Sequence, residues 1–502
     1  MWVLSKAGPR RTGAAGSLAI AVGGLAAGSL PAREPWGLWV PYGHGVTVAA
    51  AVLAYLGLTL LVLAWWEYGR ELAAGETAEV AGQGGVRDVL VTLGWWAAPL
   101  VLAPPLYSAD VYSYIAQGAM VLEGHDVYAH GPSVLGPGSL GADAAASVGG
   151  NWTDTPAPYG PVFLLLAKGV TWATGGTIVP AVIGLRLTAV GALVLTAWAV
   201  RRLAAQYGAG ESRALWLAVL NPLLLIHVVG GMHNDGLMIG LMLAGVVCAL
   251  RGRWVLGSAV VALAMTIKSP AAVALLFIGV IVVRDAGRGP AVLRAVKGAL
   301  GPGLVAATIA AATTWLSGTG FGWLRTQSVA ATVHTPLSLT SDLGLAAGYA
   351  ARLLSGDVDP AAVKSLTQTL GLAAAVAVIA VLAYRSLRGR MRPVRGLGLA
   401  LLALVALSPM VQPWYLLWGT VAVAAISVGN DRIVPILMVL SVSFVYETQP
   451  SGHTPAYGFA LAALAVAAAV TALRRHGGPA AAEGPAPSRP RPEPDSLSGV
   501  PR

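Results

Sequence analysis

Asp110 stands just past an apolar segment, in the string L-Y-S-A-D-V-Y-S-Y-I-A-Q-G-A-M, which also holds Tyr112. A carboxylate in such a place can take a proton from a hydroxyl held beside it. The same hydrophilic stretch continues through E-G-H-D-V-Y-A-H-G-P, with His125, Asp126 and His130. It ends at N-W-T-D-T-P-A-P-Y-G-P, with Trp152 and Tyr159. A second string, H-V-V-G-G-M-H-N-D-G, sets His227, His233, Asn234 and Asp235 close together, and Lys268 opens K-S-P. Arg325 and His334 fall within 317–340, Q-P-W-Y-L-L-W supplies Gln412, Trp414 and Tyr415, and Glu447 follows. Carboxylates, cations and aromatic rings suit proton transfer and the compensation of developing negative charge. A metal centre is not expected: His233 and Asp235 are two ligands without a metal-site spacing, and two do not fill a coordination shell. The single cysteine, Cys248, excludes an intrachain disulfide and a cysteine cluster. With no Walker motif, no G-x-G-x-x-G after a strand and no G-x-S-x-G, cytosolic nucleotide chemistry is unsupported and no cofactor is expected.

Each of these residues also has a plainer reading. Asp110 and the His233–Asn234–Asp235 string can cap helices. Tyr112, Trp414 and Tyr415 can anchor at a membrane interface. His227 can be a hydrogen-bonded helix residue, and Lys268 can reach toward headgroups. What sets them apart is where they fall relative to the apolar segments.

The chain of 502 residues is 56% hydrophobic and 11% charged, with mean hydropathy +0.70. A soluble domain carries about 25% charged residues, so the bilayer is the expected solvent. The net charge of +10 then reads as basic loops facing anionic lipid rather than as nucleic-acid binding. Apolar segments recur at 14–30, 46–66, 89–106, 178–200, 213–230, 236–250, 254–267, 270–284, 296–316, 365–384, 396–412, 414–429, 433–448 and 456–473. The expected fold is all-α and polytopic, a bundle of about 14 transmembrane helices with outer juxtamembrane helices at 159–177 and 337–354. Segment 14–30 is read as the first crossing, with a cleaved signal peptide as the alternative. Placing the N-terminus inside puts most of the 32 Lys and Arg residues in cytoplasmic segments, as the positive-inside rule requires. The polar strings then fall on the extracytoplasmic side. The divisions are a cytoplasmic 1–13, three helices over 14–106, a large outer loop over 107–177, helices over 178–316, an outer loop over 317–364, helices over 365–473 and a cytoplasmic tail over 474–502. The Pro- and Ala-rich end of that tail reads as disordered. No internal repeat of the kind that marks many transporters is visible.

The strings Y-S-A-D-V-Y-S-Y-x-A-Q-G (107–118), P-Y-G-P-V (158–162), N-P-L-L-L-I-H-V-V-G-G-M-H-N-D (221–235), K-S-P (268–270) and Q-P-W-Y-L-L-W (412–418) resemble, in order and spacing, a particular family. It is that of the actinobacterial polyprenyl-phosphate-mannose-dependent α-1,6-mannosyltransferases of the MptA/MptB type, within the GT-C glycosyltransferases. The resemblance spans 107–418. This chain has H-D-V-Y where many relatives place a Pro before the tyrosine that is Tyr128 here. The resemblance implies a bacterial plasma-membrane enzyme that takes mannose from a polyprenyl-phosphate-linked donor to a glycolipid or mannan acceptor, with inversion. It carries the catalytic role onto Asp110 alone. From position, Lys268, Arg325 and His334 are candidates for the donor phosphate. Tyr112, His125, Tyr159, His233, Asn234, Asp235, Gln412, Trp414 and Tyr415 are candidates for sugar or acceptor. The competing expectation is a lipid or polysaccharide transporter.

Overall fold

The computed structural model describes residues 4–75, 83–285, 290–333, 335–427 and 432–476, all helix and connecting turn with no strand among them. The all-α polytopic class expected from the sequence is what forms. By length and composition, six helices among the described residues can cross a membrane: His44–Ala74, Gly85–Leu102, Ile178–Tyr207, Ala291–Ser317, Pro360–Leu387 and Ala456–Arg475. A seventh span results if Glu211–Ala218 and Pro222–Gly230, bent by 50°, count as one. Six more apolar helices run only 10–17 residues, short of the ~20 a single crossing needs. A hydropathy pattern marks both kinds alike, because helices packed inside the bundle are apolar all round. Segments 159–177 and 337–354 form helices at Pro161–Thr174 and Leu339–Ser355. Within the tail 474–502, residues 477–502 lie outside the described residues.

In chain order, the helices that build the frame begin with α1 (Leu4–Ala27), α2 (His44–Gly75) and α3 (Gln83–Leu102). A short α4 (Asp110–Leu122) follows, then α5 (Ala142–Ala146), α6 (Pro161–Thr174) and α7 (Ile178–Tyr207). Helix α1 lies along α2 so closely that a Cβ on Gly16 would stand 2.6 Å from the Gly57 carbonyl oxygen, and the reverse holds for Gly57. Small residues permit such backbone contact between apolar helices.

The chain next turns through α8 (Glu211–Ala218) into α9 (Pro222–Leu224), which runs on as a π-helical turn over Leu225–Gly230. The break is written in the sequence. Asn221 caps α9 by accepting from Leu223 N–H at 3.0 Å, and Pro222 takes the first helical position, where no N–H is needed. The Asn221 amide also donates to Ser441 Oγ at 2.7 Å, tying the break to a distant helix. Then come α10 (Asp235–Leu250), α11 (Trp254–Met265), α12 (Val273–Arg284) and α13 (Ala291–Ser317).

Arg186 of α7 is 2% exposed and holds two of these segments together. Its guanidinium donates to the carbonyls of Leu100 (2.6 Å), Val101 (3.1 Å), Ala103 (2.6 Å) and Pro104 (3.3 Å), where α3 ends, and of Gly230 (3.1 Å), where the π-helical turn ends. Leu106 N–H adds a direct bond to the Gly230 carbonyl at 3.2 Å. The chain leaves the first point toward Asp110 and the second toward His233 and Asp235. Hydrogen bonds to charged groups are worth ~1.5–3 kcal/mol each, and the five are not additive. Arg186→Met is expected to lower stability by about 3 kcal/mol or more, read as a fall in the thermal midpoint of the detergent-solubilised protein. Arg186→Lys, with its single ammonium, is expected to recover only part of it.

The last part of the frame is α14 (Val329–Thr332), α15 (Leu339–Ser355), α16 (Pro360–Leu387), α17 (Pro393–Ala406), α18 (Leu417–Ala424), α19 (Ile433–Val445) and α20 (Ala456–His476). Between α17 and α18, residues 408–411 are sewn to the start of α15. Ser338 Oγ donates to the Ser408 carbonyl at 2.8 Å, Ser341 Oγ to the Pro409 carbonyl at 2.6 Å, and Val411 N–H to Thr335 Oγ1 at 3.0 Å. Gln412 and the aromatic string begin where this seam stops.

Candidate functional site

Asp110, Lys268 and the 412–418 string come from distant parts of the sequence and meet at one end of the bundle. Asp110 opens α4, where a carboxylate is favoured by the positive end of the helix dipole. Its own N–H donates to Ser108 Oγ at 3.0 Å. Nδ1 of His233 lies 3.2 Å from the Asp110 Oδ2. Trp414 lies flat on His233, ring centres 3.5 Å apart and planes 19° apart, and His227 stands behind at 5.6 Å from His233. Burial pushes the Asp110 carboxyl up, but His233, the Lys268 charge and the Ser108 hydroxyl outweigh it and hold it below the usual carboxylate range. At neutral pH it is therefore ionised, the form a general base requires.

Asp235 opens α10 in the same manner. Lys268 Nζ donates to both of its oxygens, at 2.9 and 2.8 Å, and Trp418 Nε1 donates to Oδ1 at 2.6 Å. The Asp235 side chain is 1% exposed and that of Lys268 14%, so the ammonium is the half of the pair that reaches the surface of the site. Nζ also sits 4.4 Å from the centre of the Tyr415 ring, which stacks on Trp418 at 4.3 Å. An ammonium over an aromatic face is held by the ring quadrupole. Two non-glycine residues with left-handed backbone, Tyr107 (φ 59°) and Met232 (φ 55°), immediately precede these carboxylate-bearing strings. Such conformations cost about 1–3 kcal/mol each and persist where the surroundings over-determine them.

Asp110, Trp152, Tyr159, Lys268, Gln412 and Trp414 face one cavity of about 330 Å³. Val273, Leu404 and Leu372 contribute apolar lining. Leu372 is 42% exposed and carries the cavity out to the flank of the bundle. The P-Y-G-P string fixes Tyr159 here. Gly160 packs against the Thr266 carbonyl oxygen so tightly that a Cβ would stand 2.3 Å from it, and Val162 N–H donates to that same oxygen at 3.1 Å. Tyr159 is thereby locked beside the strand of chain that carries Lys268. Asp110, Trp152, Gln412 and Trp414 also face a second cavity, of about 540 Å³.

Of the residues singled out from the sequence, Asp110, Lys268, Tyr159, Gln412, Trp414 and Tyr415 line the first cavity. His233 and Asp235 are buried behind it, each in contact with a residue that lines it. Asp235 has both oxygens taken by Lys268 and Trp418, so its role in the site is to hold the lysine. Asn234 is 4% exposed and faces neither cavity. Tyr112 is buried with its hydroxyl donating to the Ser29 carbonyl at 2.5 Å, a structural bond. His125 stands apart, 3.6 Å from Glu123, and Arg325 is exposed outside the cavity lining. His334 lies outside the described residues. Glu447 is buried and takes a hydrogen bond from Thr448 Oγ1 at 2.8 Å, and burial raises its carboxyl above the usual range. Among the described residues no three of His, Cys, Asp and Glu stand together as metal ligands would.

Sequence reasoning named Trp152 without giving it a role, and it missed both Trp418, which lines the cavity, and Arg186, which ties together the segments that lead to Asp110 and Asp235. Trp418 had a signal, because 414, 415 and 418 share one face of a helical turn. Arg186 had none beyond being a charge inside an apolar segment.

The model of the family described as alpha-(1->6)-mannopyranosyltransferase, N-terminal domain, matches residues 10–284, and that of the MptB C-terminal domain matches residues 340–475. An alpha-(1->6)-mannopyranosyltransferase A of Mycobacterium tuberculosis is 35% identical over 93% of this chain and 89% of its own length. A probable alpha-(1->6)-mannopyranosyltransferase of Mycolicibacterium smegmatis is 36% identical over 84% of this chain and 79% of its own. An alpha-(1->6)-mannopyranosyltransferase B of Corynebacterium glutamicum is 32% identical over 83% and 72%. No solved structure matches the chain. With more than half of its length under one family description and relatives of this similarity along most of the rest, the chain belongs to the alpha-(1->6)-mannopyranosyltransferase family.

Proposed function

We propose that this protein transfers mannose from a polyprenyl-phosphate-linked donor to a mannoside acceptor, forming an α-1,6 linkage with inversion, on the extracytoplasmic face of the bacterial plasma membrane. The observation that carries this reading is the shared cavity, where the Asp110 carboxylate and the Lys268 ammonium face one space with an apolar exit to the flank of the bundle. Asp110 takes the proton of the acceptor hydroxyl as its oxygen bonds to the anomeric carbon. The bond from that carbon to the phosphate oxygen breaks, and the leaving prenyl phosphate keeps the electron pair. Attack at an anomeric carbon passes through an oxocarbenium-like state. The leaving phosphate needs no proton, only cationic compensation, which Lys268 supplies. Trp414, Tyr415 and Tyr159 offer faces for the sugar, and the prenyl chain follows Val273, Leu404 and Leu372 outward.

The orientation is supported at the other end of the bundle. There Arg251, Arg284, Arg390 and Arg392 border a separate cavity of about 820 Å³, and clustered arginines favour the cytoplasmic leaflet.

The test is transfer by the purified protein in lipid nanodiscs, from radiolabelled prenyl-phosphate mannose to a short octyl mannoside, with linkage analysis of the product. An α-1,6-linked product is expected; failure to extend any mannoside overturns the reading. The pH dependence has a definite sign. The basic form of Asp110 exists above its pKa and is lost as pH falls through it. Because that pKa lies below the usual ~3.9, kcat/KM is expected to show no Asp110-dependent loss between pH 7 and about 5.

A further inference from the structure

At the end of the bundle away from Asp110, four arginines border the cavity of about 820 Å³, a size within the ~300–1,000 Å³ of ligand pockets. It is closed by the end of α7, the turn from α10 to α11, the end of α12 and the turn from α16 to α17. Arg251 sits in the first of these turns, Arg284 ends α12, and Arg390 and Arg392 lie in the second turn. Arg284 Nη1 donates to the Ser386 carbonyl at 3.0 Å, and the Arg392 guanidinium lies 5.2 Å from the centre of the Tyr207 ring. Basic side chains often gather at helix C-termini only to meet the orphan carbonyls there. Here the main chain closes both turns by itself. Gly252 (φ 79°) and Gly389 (φ 75°) take the left-handed conformation, and the residue after each donates back into its helix. Arg253 N–H bonds the Cys248 carbonyl at 3.0 Å, and Arg390 N–H bonds the Arg385 carbonyl at 2.9 Å. Glycine caps, rather than arginine side chains, thus build the turns that carry Arg251, Arg390 and Arg392.

We propose that this cavity, bordered by Arg251, Arg284, Arg390 and Arg392, is a binding site for an anion that carries two phosphate groups. Under the orientation proposed above it opens to the cytoplasm, where such an anion is the headgroup of a diphosphatidyl lipid or a soluble diphosphate. A guanidinium grips phosphate oxygens through parallel N–H bonds. Four such forks outnumber the free oxygens of a single phosphodiester, so the cavity suits a pair of them. Asp285 is the one carboxylate on the lining among the described residues, and positive charge dominates. Leu250, Ile281 and Met391 add apolar surface beside the arginines, which suits the glycerol and first acyl carbons of a lipid. Basic pockets between transmembrane helices on the cytoplasmic side take headgroups of this kind. The placement has a structural consequence. Helices α10 and α12 end at this cavity and begin at Asp235 and just after Lys268, and α17 starts here and runs toward residues 408–411. An anion gripped from all three clamps the far ends of the helices that carry the Asp110 site.

The experiment reads the thermal midpoint of the full chain in nanodiscs of phosphatidylcholine alone, with diphosphatidylglycerol, or with phosphatidylglycerol at matched phosphate. A further arm adds inorganic pyrophosphate to the phosphatidylcholine discs. Binding to the folded state raises the midpoint, and diphosphatidylglycerol is expected to raise it by about 3 °C or more, phosphatidylglycerol by less. Arg251→Gln/Arg390→Gln is expected to lose the rise, with its midpoint in phosphatidylcholine alone reporting that it is folded. Arg251→Lys/Arg390→Lys, which keeps the charge and removes the forks, is expected to lose most of it from an unchanged baseline. Arg474→Gln/Arg475→Gln, on α20 and outside the cavity, is expected to keep it. A rise with the diphosphatidyl lipid alone assigns the anion to the membrane, and a rise with pyrophosphate alone assigns it to the cytosol. No rise in any arm, an equal rise with phosphatidylglycerol, or a full rise in both Arg251/Arg390 variants overturns the site. None of these outcomes bears on the transferase reading.

Discussion

Asp110→Asn is expected to lower mannosyl transfer by about 10²–10⁴ while the protein folds as before. The substitution keeps the shape of the side chain and its place at the head of α4. It removes the negative charge to which proton removal is assigned in the proposed reaction. The three other residues that face both cavities cannot replace it: Gln412, Trp152 and Trp414 are not bases at neutral pH. His233 sits behind Asp110, buried against Trp414, and does not line either cavity. The measurement is kcat/KM beside the thermal midpoint. Donor KM is expected to change little, because the donor phosphate is assigned to Lys268. Transfer by the Asn variant within tenfold of wild type would remove the base assignment.

The second large effect is Lys268→Met. Asp235 would keep Trp418 Nε1 as a donor but lose both bonds from the ammonium. Breaking a buried ion pair on one side typically costs about 3–5 kcal/mol, most of it from the stranded charge. A large drop in thermal midpoint is expected, together with loss of transfer. The two consequences separate in the double variant Asp235→Asn/Lys268→Met. Without a buried charge it is expected to regain most of the stability and none of the activity. Recovery of transfer in the double variant would show that Lys268 serves the fold alone.

How much of this was legible in the sequence depended on what each residue's partners are. Asp110, Lys268, Tyr159 and Trp414 could be placed together because the expected alternation of apolar segments set their strings at the same end, and helices α3, α10, α11 and α18 begin or end there. Charge asymmetry carried that inference, since Lys and Arg in short loops report orientation directly. Span number was less legible. Segments such as 236–250 and 254–267 are as apolar as full crossings, yet they form helices of only 16 and 12 residues, the first of them mostly buried. Hydropathy measures apolarity and is silent on length once a turn intervenes. Roles within the site were the least legible. Asp235 looked like a group for binding hydroxyls because a sequence does not reveal that Lys268 and Trp418, far along the chain, occupy its oxygens. Tyr112, in the same string as Asp110, turns away because α4 places it on the face toward α1, where the Ser29 carbonyl accepts its hydroxyl.

Arg186 grips only main-chain oxygens. Every residue type offers the same carbonyl, so the positions it anchors are free to change identity over evolutionary time without loosening the grip. Its pairing should therefore leave no correlated substitutions for comparative methods to detect. Its importance should show instead as intolerance at position 186 itself, visible in a saturation screen as a site where even lysine is penalised while its neighbours across the interface accept many replacements.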